Sequence, residues 1–128
     1  MSKILIIEDE KPLLNAIKIR CEQAGFKVIL AEDGFEALKK IKEKPDLIWL
    51  DIYLPKMSGF EFLKKLKSKS KKGYPDIPVI IVSNSGSEEK KEKAKKLGVV
   101  AYFVKANFKL DEIIKQCQKI IFNKKTTF

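Results

Sequence analysis

The stretch Asp46-Leu47-Ile48-Trp49-Leu50-Asp51-Ile52-Tyr53-Leu54-Pro55-Lys56-Met57-Ser58-Gly59 decides how this chain folds. The apolar run 47–50 fits a strand buried on both faces, as in a parallel sheet covered by helices on both sides. Pro55 and Gly59 then punctuate a loop. Asp51 therefore stands at the carboxyl end of a buried strand. In an open α/β sheet, that edge is where ligands bind.

Working outward, short apolar runs alternate with amphipathic stretches five times. Strands are expected at Lys3–Ile7, Phe26–Leu30, Asp46–Leu50, Val79–Val82 and Val100–Val104. Helices are expected at Pro12–Ala24, Gly34–Lys42, Gly59–Ser68, Ser87–Leu97 and Leu110–Phe122, with a lysine-rich loop over Lys67–Asp76. Pro12 suits a first helical turn, Gly25 a helix stop, and Ser87 an N-cap. The inward faces read Leu14, Ile17, Cys21 and Ala24 in the first helix, and Phe35, Leu38 and Ile41 in the second. They read Phe62, Leu63 and Leu66 in the third, and Ile113, Ile114, Cys117, Ile120 and Ile121 in the last. This alternation predicts an α/β fold, a doubly wound five-stranded parallel sheet with helices on both faces. The expected domain is residues 1–123, with 124–128 a frayed tail.

The 128 residues suit one domain with a real core, and a hydrophobic fraction of 45% excludes a disordered chain. No apolar run is long enough to span a membrane. The apolar N-terminal run stops at Glu8, too short for a signal peptide, so a cytoplasmic location is expected. Cys21 and Cys117 fall on apolar helix faces and read as buried thiols. With no histidine, the usual zinc sites and histidine acid/base mechanisms are excluded. The net charge of +10 is carried by lysine, with Arg20 the single arginine. That favours a solvated surface over a nucleic-acid reader, which would use arginine for bidentate contacts. Glu89–Lys93 and Glu92–Lys96 are the ion pairs expected along the charged run 88–96.

Five reactive side chains follow four different strands: Glu8 and Asp9 the first, Asp51 the third, Ser83 the fourth and Lys105 the fifth. Parallel strands put all their carboxyl ends on one edge. If these four strands are neighbours, the side chains converge. Three clustered carboxylates call for a hard divalent cation, and oxygen donors fit Mg2+. The set suits phosphoryl transfer. Asp51 attacks, Glu8 and Asp9 hold metal, and Ser83 and Lys105 hold phosphoryl oxygens. There is no phosphate-binding glycine loop and no Ser/His or Cys/His pair, so a turnover enzyme of another kind is not expected.

On the pair Glu8-Asp9, the segment Asp51–Gly59, Ser83, and Tyr102-Phe103-Val104-Lys105, the chain resembles the receiver domain of two-component response regulators. The resemblance covers essentially the whole chain. It implies a flavodoxin-like (βα)5 fold with strand order 2-1-3-4-5. It implies that Asp51 is the phosphoacceptor, and that the Tyr53 backbone carbonyl joins Glu8, Asp9 and Asp51 in the metal site. The phosphoryl donor would be a histidine kinase phosphohistidine, a phosphotransfer protein or a small acyl phosphate. Phosphorylation would draw Ser83 toward the phosphate and let Tyr102 rotate inward, repacking the face of helix four, strand five and helix five. Tyr102 also fits an ordinary half-buried aromatic. The expectation is a stand-alone signalling receiver acting on a downstream protein, with a homodimer on phosphorylation among its states and no membrane partner. A receiver-like binding module that works without phosphate is the alternative. Two residues depart from the family pattern: Ala106 stands where a proline usually follows the lysine, and Asn84 where a smaller residue follows the hydroxyl.

Overall fold

Five strands and five helices alternate along the chain. They are β1 (Lys3–Ile7), α1 (Lys11–Gln23), β2 (Lys27–Ala31), α2 (Gly34–Lys40), β3 (Leu47–Leu50), α3 (Gly59–Lys71), β4 (Val79–Ser83), α4 (Glu88–Lys96), β5 (Ala101–Val104) and α5 (Leu110–Asn123). The structure, a computed structural model, describes residues 1–73 and 75–123. The expected tail at 124–128 lies outside the described residues. Every strand pair is parallel, and the order across the sheet is β2-β1-β3-β4-β5. This is the expected doubly wound sheet.

Successive side chains along a strand point to opposite faces, and the strands here are apolar on both. Ile4, Ile6, Leu47, Trp49, Ile80, Val82 and Phe103 face one core, which α1 and α5 close with Leu14, Ile17, Cys21, Ile113, Ile114, Cys117 and Ile120. Leu5, Ile7, Ile48, Leu50, Val79 and Ile81 face the other, closed by α2, α3 and α4 through Ala37, Phe62, Leu63, Leu66 and Ala94. Cys21 and Cys117 are both free and buried. Burial pushes the Cys21 thiol up to about 12 and Cys117 well above the usual thiol range.

Local chemistry sets the helix ends. Pro12 occupies the first turn of α1, and Gly25, at φ +95°, follows its end. Asp33 caps α2 by accepting from the Glu36 amide at 2.8 Å. Ser58 and Glu61 form a reciprocal capping box on α3, and Ser87 accepts from the Lys90 amide to cap α4.

The structure corrects four details. Helix α3 runs to Lys71, through half of the segment expected to be a lysine-rich loop. Lysine is a good helix former, and the stop is set by Gly73 at φ +99°. Strand β2 is shifted one residue later than expected. Helix α2 buries Gly34 and Ala37, followed by Ile41 in a 3-10 turn at 41–43, while Phe35 is half exposed. The small residues won that face because Met57 packs tightly against Gly34. Ala24 is exposed beyond the end of α1.

Gly59 starts α3 directly beneath the β3 exit. A Cβ there would lie 2.8 Å from both the Asp51 carbonyl oxygen and the Ile52 Cα. Both are backbone atoms, so the loop itself would have to move. Gly59→Ala is expected to destabilise the fold by about 2 kcal/mol, as overpacking does, measured as a lowered midpoint in urea unfolding.

Candidate functional site

Strand register builds the site. Ile7 of β1 is aligned with Leu50 of β3, and the Asp51 amide donates to the Ile7 carbonyl at 3.2 Å. The next residue on each strand, Glu8 and Asp51, is therefore set side by side just past the sheet edge. Leu50 is aligned in turn with Ile81, and Ser83 with Val104, so Ser83 and Lys105 reach the same edge.

Glu8, Asp51 and Ser83 are the buried polar side chains among the described residues, whereas Asp9 is exposed. Glu8, Asp9 and Asp51 each offer one carboxylate oxygen, and the three atoms lie within 4.8 Å of one another. Five sequence-predicted residues thus come together: Glu8, Asp9, Asp51, Ser83 and Lys105. A cluster of hard oxygen donors with one open, solvent-facing member fits a cation that keeps part of its water shell.

Lys105 supplies the counter-charge. Its ammonium donates to Glu8 Oε1 at 3.0 Å and to Asp51 Oδ2 at 3.4 Å. Burial pulls this ammonium down, but Asp51 and Glu8 outweigh it, and the group is raised above its ordinary 10.5. The remaining carboxylate oxygens are also engaged. Asp51 Oδ1 accepts from the Tyr53 amide at 3.2 Å, and Glu8 Oε2 from the Asp9 amide at 3.0 Å.

A second layer surrounds Ser83. Its Oγ accepts from the Ser85 amide at 3.2 Å, and its hydroxyl interacts with that of Tyr102. The Tyr102 hydroxyl donates to the Ser85 carbonyl at 2.6 Å. Burial raises the Tyr102 phenol, with the Ser83 hydroxyl opposing. Tyr102 is therefore half-buried and tethered beside Ser83. The expected Glu89–Lys93 and Glu92–Lys96 pairs are replaced along α4. Lys91 meets Glu88 at 3.9 Å, and the Lys93 ammonium sits 4.6 Å from the centre of the Phe60 ring. Lys90 hydrogen-bonds the Tyr53 hydroxyl and also donates to Ser85 Oγ at 3.2 Å.

Ser85 and Lys90 were missed by sequence reasoning. Ser85 carried a weak signal, two residues beyond a functional hydroxyl. Lys90 carried none, lying in a run of like lysines. The Lys105–Ala106 peptide is trans, and residues 105–107 form a 3-10 turn.

A phosphoacceptor-type edge on a doubly wound sheet defines the class of protein: a receiver. The family model for the response regulator receiver domain matches residues 4–118, and the chain belongs to that family. It is 38% identical over 104 residues to the alkaline phosphatase synthesis transcriptional regulatory protein PhoP of Bacillus subtilis, covering 80% of this chain and 42% of that protein. It is 33% identical over 105 residues to the transcriptional regulatory protein CpxR of Escherichia coli, covering 82% and 43% respectively. The chain thus spans less than half the length of these curated relatives. Among solved structures, the receiver domain of the Francisella response regulator 1452 superimposes with a TM-score of 0.87 at 32% identity, covering 98% of this chain and 100% of that one. Chemotaxis protein CheY4 of Vibrio cholerae does so with a TM-score of 0.84 at 31% identity, covering 94% and 98%. No described helix is long and apolar enough to cross a membrane.

The raised Lys105 gives a pH signature. Its folded value lies above the unfolded 10.5, so its stabilising contribution is whole below that pH and is lost as pH rises through the folded value. The stability difference between the wild type and Lys105→Met should stay flat through neutral and mildly alkaline pH, then shrink above about pH 10.5. Urea unfolding at stepped pH measures it; a difference already shrinking near pH 8 would contradict the pairing.

Proposed function

We propose that this chain accepts a phosphoryl group on Asp51 and reports it through the face formed by α4, β5 and α5. The observation that carries this reading is the Asp51 carboxylate held between the Lys105 ammonium and two neighbouring carboxylates, with the Ser83 hydroxyl on the adjacent strand. The donor would be a phosphohistidine of a kinase or phosphotransfer protein, or a small acyl phosphate. An Asp51 oxygen attacks phosphorus, an acyl phosphate bond forms, and the donor P–N or P–O bond breaks with its electron pair leaving on the donor.

Glu8, Asp9, Asp51 and the Tyr53 carbonyl would hold a divalent cation. When bound, Mg2+ supplies neutralisation of phosphoryl-oxygen charge at this cluster. The chain's own groups do the rest. Lys105 moves from Glu8 and Asp51 onto a phosphoryl oxygen. The Tyr53 amide orients the acceptor carboxylate, and the Ser83 hydroxyl turns to donate its proton to a second oxygen.

The reporting step follows from the hydrogen bonds around Ser83. When its hydroxyl turns to the phosphate, the Ser85 amide loses or follows its acceptor. The Ser85 carbonyl then shifts, and Tyr102, tethered to that carbonyl, shifts with it. A charge event at Asp51 thereby reaches the outer face of β5. The receiver would pass its state on by contact with a downstream protein or a second copy of itself.

Acetyl phosphate with Mg2+ should label the wild type but not Asp51→Asn, read by intact-protein mass. Ser83→Ala should slow labelling on the order of a hundredfold, the usual cost of losing one oxyanion donor. Unchanged labelling of Asp51→Asn would overturn the assignment. In the unlabelled protein, Mg2+ at ten times its dissociation constant should raise stability by about 1.4 kcal/mol. Asp9→Asn should remove most of that gain in a thermal-shift titration.

A further inference from the structure

The positive charge of the chain is not spread evenly. Residues 59–72 carry six lysines against one glutamate, and residues 88–96 carry five lysines against three glutamates. These segments are α3, with its C-terminal cap, and α4, which cover the same face of the sheet. Between the β3–α3 loop and α4 lies an open cleft of about 370 Å³. Its floor is apolar, from Ile52, Leu54 and Phe60, and its rim carries Tyr53, Lys90 and Lys93, with Glu89 at one corner. The Lys90 ammonium lies 4.7 Å from the centre of the Tyr53 ring, and Lys93 lies 4.6 Å from that of Phe60. Tyr53 is one of the few large apolar side chains left open to solvent, at 53% exposure.

We propose that this cleft is a docking groove for an acidic polypeptide segment of a partner protein. An apolar side chain of the partner would enter the cleft over Leu54, beside the exposed Tyr53, and flanking carboxylates would meet Lys90 and Lys93. The chemistry favours this occupant over other anions. Base stacking on a single strand needs free aromatic faces, but Phe60 is buried and both rings are overlaid by ammonium groups. The single arginine is on α1, remote from bidentate reading at this cleft. A lipid surface is matched by exposed apolar side chains beside the lysines. Among the described residues, Tyr53 is the one exposed large hydrophobic side chain lining this cleft, short of the apolar face a lipid surface needs.

The groove shares parts with the phosphoacceptor loop. Lys90 holds Tyr53 and Ser85, and those residues donate their amides to Asp51 and Ser83. A carboxylate that draws Lys90 away therefore loosens the two segments that frame the site.

The probe is a fluorescein-labelled peptide alternating glutamate pairs with leucine, titrated with the unmodified full chain at low ionic strength and read by anisotropy. Lys90→Gln/Lys93→Gln should weaken binding about fivefold, the scale expected for two rim ion pairs. Lys115→Gln/Lys119→Gln, which removes equal charge from exposed positions on α5, should leave it unchanged. Thermal melts establish that both variants fold. Equal weakening by the two pairs would reduce the effect to bulk charge and overturn the groove. So would equal binding of a peptide with glutamine in place of glutamate. A uridine oligonucleotide or anionic phosphatidylserine vesicle that outcompetes the peptide through the same two lysines would assign the face to that ligand instead. Because the chain is unmodified, failure here leaves the phosphoacceptor reading standing, and failure of Asp51 labelling leaves the groove standing.

Discussion

A single ammonium, that of Lys105, bridges two buried carboxylates on non-adjacent stretches of chain. Burying either carboxylate alone would cost several kcal/mol in this setting. The parallel register leaves little choice, because aligning Ile7 with Leu50 sets Glu8 and Asp51 side by side. Lys105, entering from the far side of β4, makes that crowding tolerable. The same crowding keeps the acceptor carboxylate oriented and close to groups that suit a phosphoryl oxygen. Stability and reactivity are therefore two aspects of one cluster.

Around this cluster the signalling parts are short. Ser83, Ser85 and Tyr102 form a run of hydrogen bonds in which each partner is either a backbone group or a small hydroxyl. Such a run has little slack, so displacement at one end is felt at the other. Lys90 ties the same run to Tyr53 and thus to the acceptor loop. Hydrogen bonds thus link two neighbouring surfaces, one at β5 and one beside α4, to the loops that follow β3 and β4.

Much of this was legible in the residues. Runs such as 47–50 and 79–82 are apolar without alternation, which is the mark of strands covered on both faces, and the five reactive residues fall within two positions of the ends of such runs. What escaped was set by tertiary contact. The inward face of α2 was decided by Met57 packing on Gly34, not by the larger Phe35. The end of α3 was decided by one glycine inside a lysine-rich segment whose composition also suited a loop. The lysines of α4 are alike in sequence, yet one lies over Tyr53, one over Phe60, and another beside Glu88. Only the fold distinguishes them.

Trp49, the single tryptophan, lies two residues before the acceptor and is almost wholly buried. It lines a small apolar cavity together with Lys105, Phe108 and residues of α1 and α5. An indole is a sensitive optical group, and a nearby ammonium alters its emission. The chain therefore carries an intrinsic lamp in the same cavity wall as the ammonium that bridges Glu8 and Asp51.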